Sequence, residues 1–200
     1  MTSVIVKRGA NSMVTDTRQR MVLSAASLIA TRGACATSFS DVIEESGAPR
    51  GSIYHHFPDG KREMVGDAVQ WTSDQILAHL RAGRGRTPEQ VMGWFIDLWR
   101  RSVLTSRGAS GCAVAAVALD SDTWERDLID AVRVAFRSWS DLFAEQLVET
   151  GVPRARARSI AVTTVAAMEG ALILCRAEGN AAPLEAVARE LMRLLPGPAA

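Results

Sequence analysis

Residues 38 to 64 read Ser38-Phe39-Ser40-Asp41-Val42-Ile43-Glu44-Glu45-Ser46-Gly47-Ala48-Pro49-Arg50-Gly51-Ser52-Ile53-Tyr54-His55-His56-Phe57-Pro58-Asp59-Gly60-Lys61-Arg62-Glu63-Met64. The stretch divides into a short helix, a glycine turn, a second short helix and the start of a third, which is the layout of a helix-turn-helix. Ser38 and Asp41 stand three apart and fit a capping box, so the first helix begins at Ser38. Phe39, Val42 and Ile43 give it an apolar face at helical spacing. Ser46-Gly47 stops it, because glycine accepts the left-handed conformation that closes a helix. Pro49, with no amide hydrogen and a preset backbone angle, suits the first turn of the next helix. That helix runs from Arg50 to His56 and turns Ile53 and Phe57 inward. Pro58-Asp59-Gly60 is a turn, and Lys61 opens a longer helix.

The outward side of the second short helix carries Arg50, Gly51, Ser52, Tyr54 and His55. Arginine forks onto guanine edges, serine and tyrosine donate to phosphates, and glycine lets a backbone approach closely. A plain helical hairpin with a polar surface would have the same composition, so residue types alone leave the two readings level.

Residue order separates them. Ala48-Pro49-Arg50-Gly51-Ser52-Ile53-Tyr54-His55-His56-Phe57, followed by Gly60-Lys61, resembles the signature of the TetR family of transcriptional regulators, and the resemblance extends over residues 17 to 66. Pro49 departs from it, standing where the family has serine or another small capping residue. Together with Gly111-Cys112-Ala113-Val114-Ala115-Ala116-Val117-Ala118, the variant is similar to the LmrA/YxaF-like branch. The resemblance implies a homodimeric repressor on double-stranded operator DNA. Its chemistry assigns base reading to Arg50 and phosphate contacts to Tyr54 and Lys61. Gly51 and His55 lie on the same face, with Thr37, Ser38 and Ser52 as secondary phosphate contacts.

Working outward, the fold class is all-α: strand signals are almost absent, and 48% hydrophobic content is ample for a core in 200 residues. The net charge is +1, with eight basic and six acidic residues through Gly66 and fifteen and sixteen after it. So weak a bias would not point to nucleic acid without the motif. Residues 1–15 are expected to be a disordered tail, 16–82 the DNA-binding domain with its connecting helix, and 83–200 a ligand-binding and dimerisation domain that opens on the Gly83-Arg84-Gly85-Arg86-Thr87-Pro88 linker. Cys35, Cys112 and Cys175 are odd in number and widely spaced, which indicates a reducing compartment. No secretory leader is visible, so the expected location is the cytoplasm. Ile160 to Cys175 is too short and too interrupted for a membrane span, which takes about 20 apolar residues.

The second region concentrates aromatic residues. Trp94, Phe95, Leu98, Trp99, Val117, Trp124, Phe136, Trp139 and Met168 are expected to line a cavity for an apolar or aromatic ligand, although an aromatic stripe at helical spacing also serves as plain core. The TetR resemblance favours the cavity. A helix apolar nearly all round must be buried on several sides. Ala166, Gly170 and Ile173, with Leu184 and Leu191 of the last helix, are therefore expected at a four-helix dimer interface. Glu169, alone in that apolar stretch, needs a partner. No catalytic or metal motif is present, so neither an enzyme nor a cofactor is expected. Two alternatives stay open: a redox- or electrophile-sensing regulator using Cys112 with help from Arg107, and a dimeric helical binding protein that does not touch DNA.

Overall fold

The capping box at Ser38 forms as the sequence requires. The Ser38 amide and hydroxyl both donate to Asp41 Oδ2, and the Asp41 amide donates back to Ser38 Oγ. These bonds hold the Asp41 carboxyl below its usual range. The structure, a computed structural model, describes residues 17–83, 85–120 and 126–196, and every regular element among them is helical. In chain order these are α1 (Thr17–Arg32), α2 (Phe39–Ser46), a 3₁₀ turn (Arg50–Ser52) that runs into α3 (Ile53–His56), α4 (Lys61–Ala82), α5 (Pro88–Ser106), α6 (Ala113–Leu119), α7 (Arg126–Glu149), α8 (Arg154–Glu178) and α9 (Ala182–Arg193).

Local signals set most of these ends. Gly33 (φ 88°) follows α1 and Gly47 (φ 63°) closes α2, both in the left-handed region that favours glycine. The helix expected over Arg50 to His56 is present, with its first turn tightened to 3₁₀ after Pro49. Thr87 accepts from the Gln90 amide and Pro88 occupies the first turn of α5. The candidate Trp124 and the tail expected over residues 1–15 lie outside the described residues.

The molecule has two helical layers joined through α4. In the first, α1 packs on α2 and α4 around Met21, Ala25, Ile29, Val42, Ile53, Phe57, Met64 and Val65, all buried. In the second, α7 lies on α4, α8 on α7 and α9 on α8, with α5 against all three. Its centre is aromatic. Phe95 stacks on Phe143 at 4.6 Å, and Trp139 meets the edges of Phe136 and Trp99 at 5.1 and 6.4 Å. The buried Trp139 indole donates to Ser73 Oγ at 3.1 Å, which satisfies its polar atom on α4. Arg100 of α5 grips Glu185 of α9 through Nε and Nη2 at 2.5 and 2.9 Å, a fork that fixes α9.

Helix α8 runs 25 residues and, by length and composition, is long and apolar enough to cross a membrane. In the fold it is a packed helix, its inner side buried against α5, α7 and α9.

Candidate DNA interface and ligand cavity

The outward face of the 3₁₀ turn and α3 is set by three anchors. Ile53 and Phe57 are buried beneath it. Arg18 of α1 donates through Nε to the His56 carbonyl and through Nη2 to Glu63 of α4, pairs with the Asp67 carboxylate at 2.7 Å, and sets its guanidinium 5.3 Å from the Phe57 ring centre. Phe39 of α2 meets the Tyr54 ring edge-on at 5.5 Å. Held this way, Arg50, Gly51, Tyr54 and His55 all face solvent, Tyr54 with 71% of its surface open. Nothing lies within 4 Å of where a Gly51 Cβ would be, so its bare backbone is open to a close approach. Lys61 opens α4 on the same side and donates through Nζ to the Cys35 carbonyl at 2.8 Å; an ammonium has three donors, and the helix start beside it favours anions.

Three expected phosphate contacts take other roles. Thr37 is fully buried and its hydroxyl donates to the Gly33 carbonyl at 2.8 Å, so it cannot reach a phosphate. Ser38 uses its hydroxyl proton in the capping box, and Ser52 donates to the Pro49 carbonyl at 2.7 Å. The Asp41 carboxylate in one case and a backbone carbonyl in the other take the single donor that a phosphate would need.

The expected ligand set separates more sharply. Phe95, Val117, Trp139 and Met168 are fully buried in the packed core and border no cavity. Trp94 lies on the outside, stacked on His79 at 4.7 Å and donating to the His79 carbonyl, where it braces the end of α4. Two cavities open instead on either side of the segment that leads into α6. One, about 350 Å³, lies between α1, α4, α5 and α6 and takes in Leu98 and Trp99, whose indole nitrogen is buried without a hydrogen-bond partner among the described residues. The other, about 430 Å³, lies between α1, α6, α7 and α8 and, among the described residues, includes only Phe136 of the expected set. Its depth is formed by Ile29, Cys112 and Leu172, all buried, and its mouth by the exposed Arg32, Leu119, Ile173 and Arg176. Phe95, Trp139 and Phe143 are taken up in core packing, and the larger of these two spaces is left where the small residues Ala115, Ala116 and Ala118 line the wall.

Both cavities touch the joint between the two layers. The Gly111 amide donates to the Ala30 carbonyl at 2.8 Å, and the Asp120 carboxylate accepts from the Cys35 amide at 3.1 Å. Helix α6 therefore docks on α1, and α4 is not the sole connection between the layers. A Cβ at Gly111 would lie 3.1 Å from the Ala30 carbonyl, so glycine permits this approach.

Cys112 is buried, and burial together with the negative charge of Glu169 pushes its thiol well above the usual range. Arg107, which closes α5 at φ 53°, is not among the groups acting on it. A sensing thiolate needs the opposite environment, so the electrophile-sensing alternative loses its physical basis. Glu169 is raised to about 7 by burial, against the lowering effect of a hydrogen bond from Cys112. Its Oε1 is buried and meets no hydrogen-bond partner among the described residues.

The expected dimer residues also divide. Leu184 and Leu191 are buried in the chain's own core, holding α9 on α8, and are not available to a second copy. Ala166, Gly170 and Ile173 are exposed on α8, in line with Val162 and Leu174; Val162, Ile173 and Leu174 keep 60%, 61% and 51% of their surface open.

Comparison with known proteins agrees with this architecture. The sequence pattern described as "Bacterial regulatory proteins, tetR family" matches residues 22–68, and that of "Transcriptional regulator LmrA/YxaF-like, C-terminal domain" matches residues 88–190. An uncharacterized HTH-type transcriptional regulator of Mycobacterium tuberculosis, Rv0196, is 38% identical over 89% of this chain and 93% of its own length. The HTH-type transcriptional regulator LmrA of Bacillus subtilis is 27% identical over 84% and 91%. Among solved structures, a TetR transcriptional regulator from Legionella pneumophila superposes with a TM-score of 0.82 over 92% of this chain and all of that one, at 21% identity.

Proposed function

The chain belongs to the TetR family of bacterial transcriptional regulators, and from that premise we propose a homodimeric repressor that leaves a palindromic operator when an apolar small molecule enters the cavity between α1 and α6. DNA-binding regulation, not catalysis, is the work of this family. The single observation that carries the finer reading is the placement of that cavity: one wall is α1, which supports the recognition helix, and the others are α6, α7 and α8. A ligand there touches both layers at the joint closed by the Gly111–Ala30 and Asp120–Cys35 bonds.

On this reading Arg50 reads base edges, Tyr54, His55 and Lys61 hold phosphates, and Gly51 admits the backbone. The exposed stripe of α8 receives the same stripe of a second copy, an arrangement in which both partners present one self-complementary patch. The two recognition helices then face successive major grooves, about 34 Å apart. A ligand releases DNA only if it binds better to a form whose recognition helices no longer match that spacing. The location that goes with this work is the cytoplasm. Footprinting on the DNA upstream of the chain's own gene tests the reading: a protected palindrome is expected, and its absence across the whole salt range would sink it.

A further inference from the structure

Among the described residues, Glu169 is the one carboxyl group set deep in the cavity between α1 and α6. The side chains around it are alanine, isoleucine, leucine and Phe136, together with the Cys112 thiol. Oε1 lies buried with no partner among the described residues. The other ionisable groups on the walls stand at the mouth: Arg32 on α1, Asp120 at the end of α6 and Arg176 on α8, while α7 contributes Phe136. Arg32 is turned toward Asp41 at 3.4 Å, and neither arginine is among the groups that act on Glu169. Among the described residues the cavity therefore holds an acidic group with an open acceptor and no internal countercharge.

We propose that this cavity takes an apolar molecule carrying one protonated amine, whose ammonium donates to Glu169 while its hydrocarbon body fills the space along Ile29, Ala115, Ala116 and Leu172. The proposal rests on the reading of the chain as a ligand-responsive regulator and adds the charge of the ligand. A volume of about 430 Å³ is in the range of small-molecule sites. At pH 8, where Glu169 is mostly ionised, a carboxylate ligand would meet it as a like charge and is disfavoured. A neutral alcohol can donate to Glu169, but the bond between an ammonium and a carboxylate is the stronger one. The buried carboxyl sits near about 7, so an ammonium also supplies the charge that its surroundings lack.

The test is isothermal calorimetry on the full chain with 4-phenylbutylamine and its neutral counterpart 4-phenylbutan-1-ol, which share one shape. At pH 8 the amine should bind at least about tenfold more tightly than the alcohol. Between pH 8 and 6 the amine stays protonated while Glu169 takes up its proton, so amine affinity should fall by about tenfold and alcohol affinity should stay level. Glu169→Gln should bring the amine down to the alcohol's affinity and remove its pH dependence. Ala116→Phe, which fills the cavity, should abolish binding of both compounds. Equal affinity of amine and alcohol in the wild type at pH 8, a preference that survives Glu169→Gln, or no binding of the amine overturns the proposal. Gel shifts on the same preparations separate the two levels. If both compounds release the operator equally, ligand response stands and the ligand's charge does not matter; if the unliganded chain fails to bind operator, the regulator reading itself has failed.

Discussion

Arg18 does for the recognition helix what no residue within it does: it fastens the His56 carbonyl to α1 and, through Glu63 and Asp67, to α4. Arg50 can then project from a short 3₁₀ turn without sacrificing its own side chain to support it. Arg50→Ala should leave the melting temperature unchanged, cost roughly 1–3 kcal/mol of operator affinity and relax preference at one base position; equal losses on operator and random DNA in titrations would assign Arg50 to phosphate instead. Lys61→Ala should weaken all sequences alike and flatten the salt slope by about one. Glu169 gives a prediction of opposite character. Its carboxyl rises from 4.5 to about 7 on folding, so the folded chain holds that proton to higher pH than the unfolded chain does. Its contribution is therefore fully present below about 4.5 and is lost as pH rises toward 7, by up to about 3 kcal/mol. Urea midpoints at pH 5 and pH 8 should show Glu169→Gln more stable than wild type at pH 8 and less pH-dependent between the two.

Helix α8 carries two faces with different duties. Its inner face, with Ile160, Ala161, Thr164, Met168, Leu172 and Cys175, is buried in the chain's own core. Its outer face, with Val162, Ala166, Gly170, Ile173 and Leu174, is an exposed apolar stripe with a small residue at its middle. A Cβ at Gly170 would meet nothing within 4 Å, so Gly170→Arg finds open space within the single chain and removes the roughly 1 kcal/mol penalty of a mid-helix glycine. The substitution should therefore raise or preserve helix content while giving monomers by light scattering and losing tight operator binding. A Gly170→Arg chain that remained dimeric would move the interface elsewhere. Helix α2 is short enough to depend on its cap, and Ser38→Ala should cost about 1 kcal/mol of stability and lower operator affinity through a looser α2.

At the scale of the molecule, two layers meet at α4 and again where α6 docks on α1, and the cavity opens beside that second contact. A ligand that alters the joint must shift the whole DNA-binding unit, because Ile29 and Ala30 at the cavity wall belong to the helix that Arg18 ties to the recognition helix. By linkage, operator DNA must weaken the ligand by the same factor that the ligand weakens operator binding. Calorimetry of 4-phenylbutylamine with and without saturating operator measures this directly. Equal affinities in the two titrations would show that occupancy of the cavity does not drive release.

The sequence by itself determined the elements, because their ends are decided locally. Ser38 with Asp41, Gly33, Gly47, Thr87-Pro88 and the apolar periodicities each act within one or two turns of helix, and the order Pro49 to Lys61 carried the family. It also marked Glu169 as an oddity and singled out Ala166, Gly170 and Ile173, together with Leu184 and Leu191, as expected interface residues, of which the two leucines are buried in the chain's own core. The tertiary structure alone decided which apolar residues become core and which surround empty space. Phe95 pairs with Phe143 and Trp99 with Trp139 across α5 and α7, leaving the cavity beside Glu169 to small side chains on α6. A helical stripe of aromatics looks the same in sequence whether its partner is another ring or a ligand. Likewise Leu184 and Leu191 repeat at helical spacing whether they face their own α8 or a second chain. The wall that α1 lends to the cavity comes from residues some eighty positions before α6, and no local pattern couples them. That pairing arises only when the Ala30 carbonyl finds the Gly111 amide, a bond set by how two helices pack and by the absence of a side chain at Gly111.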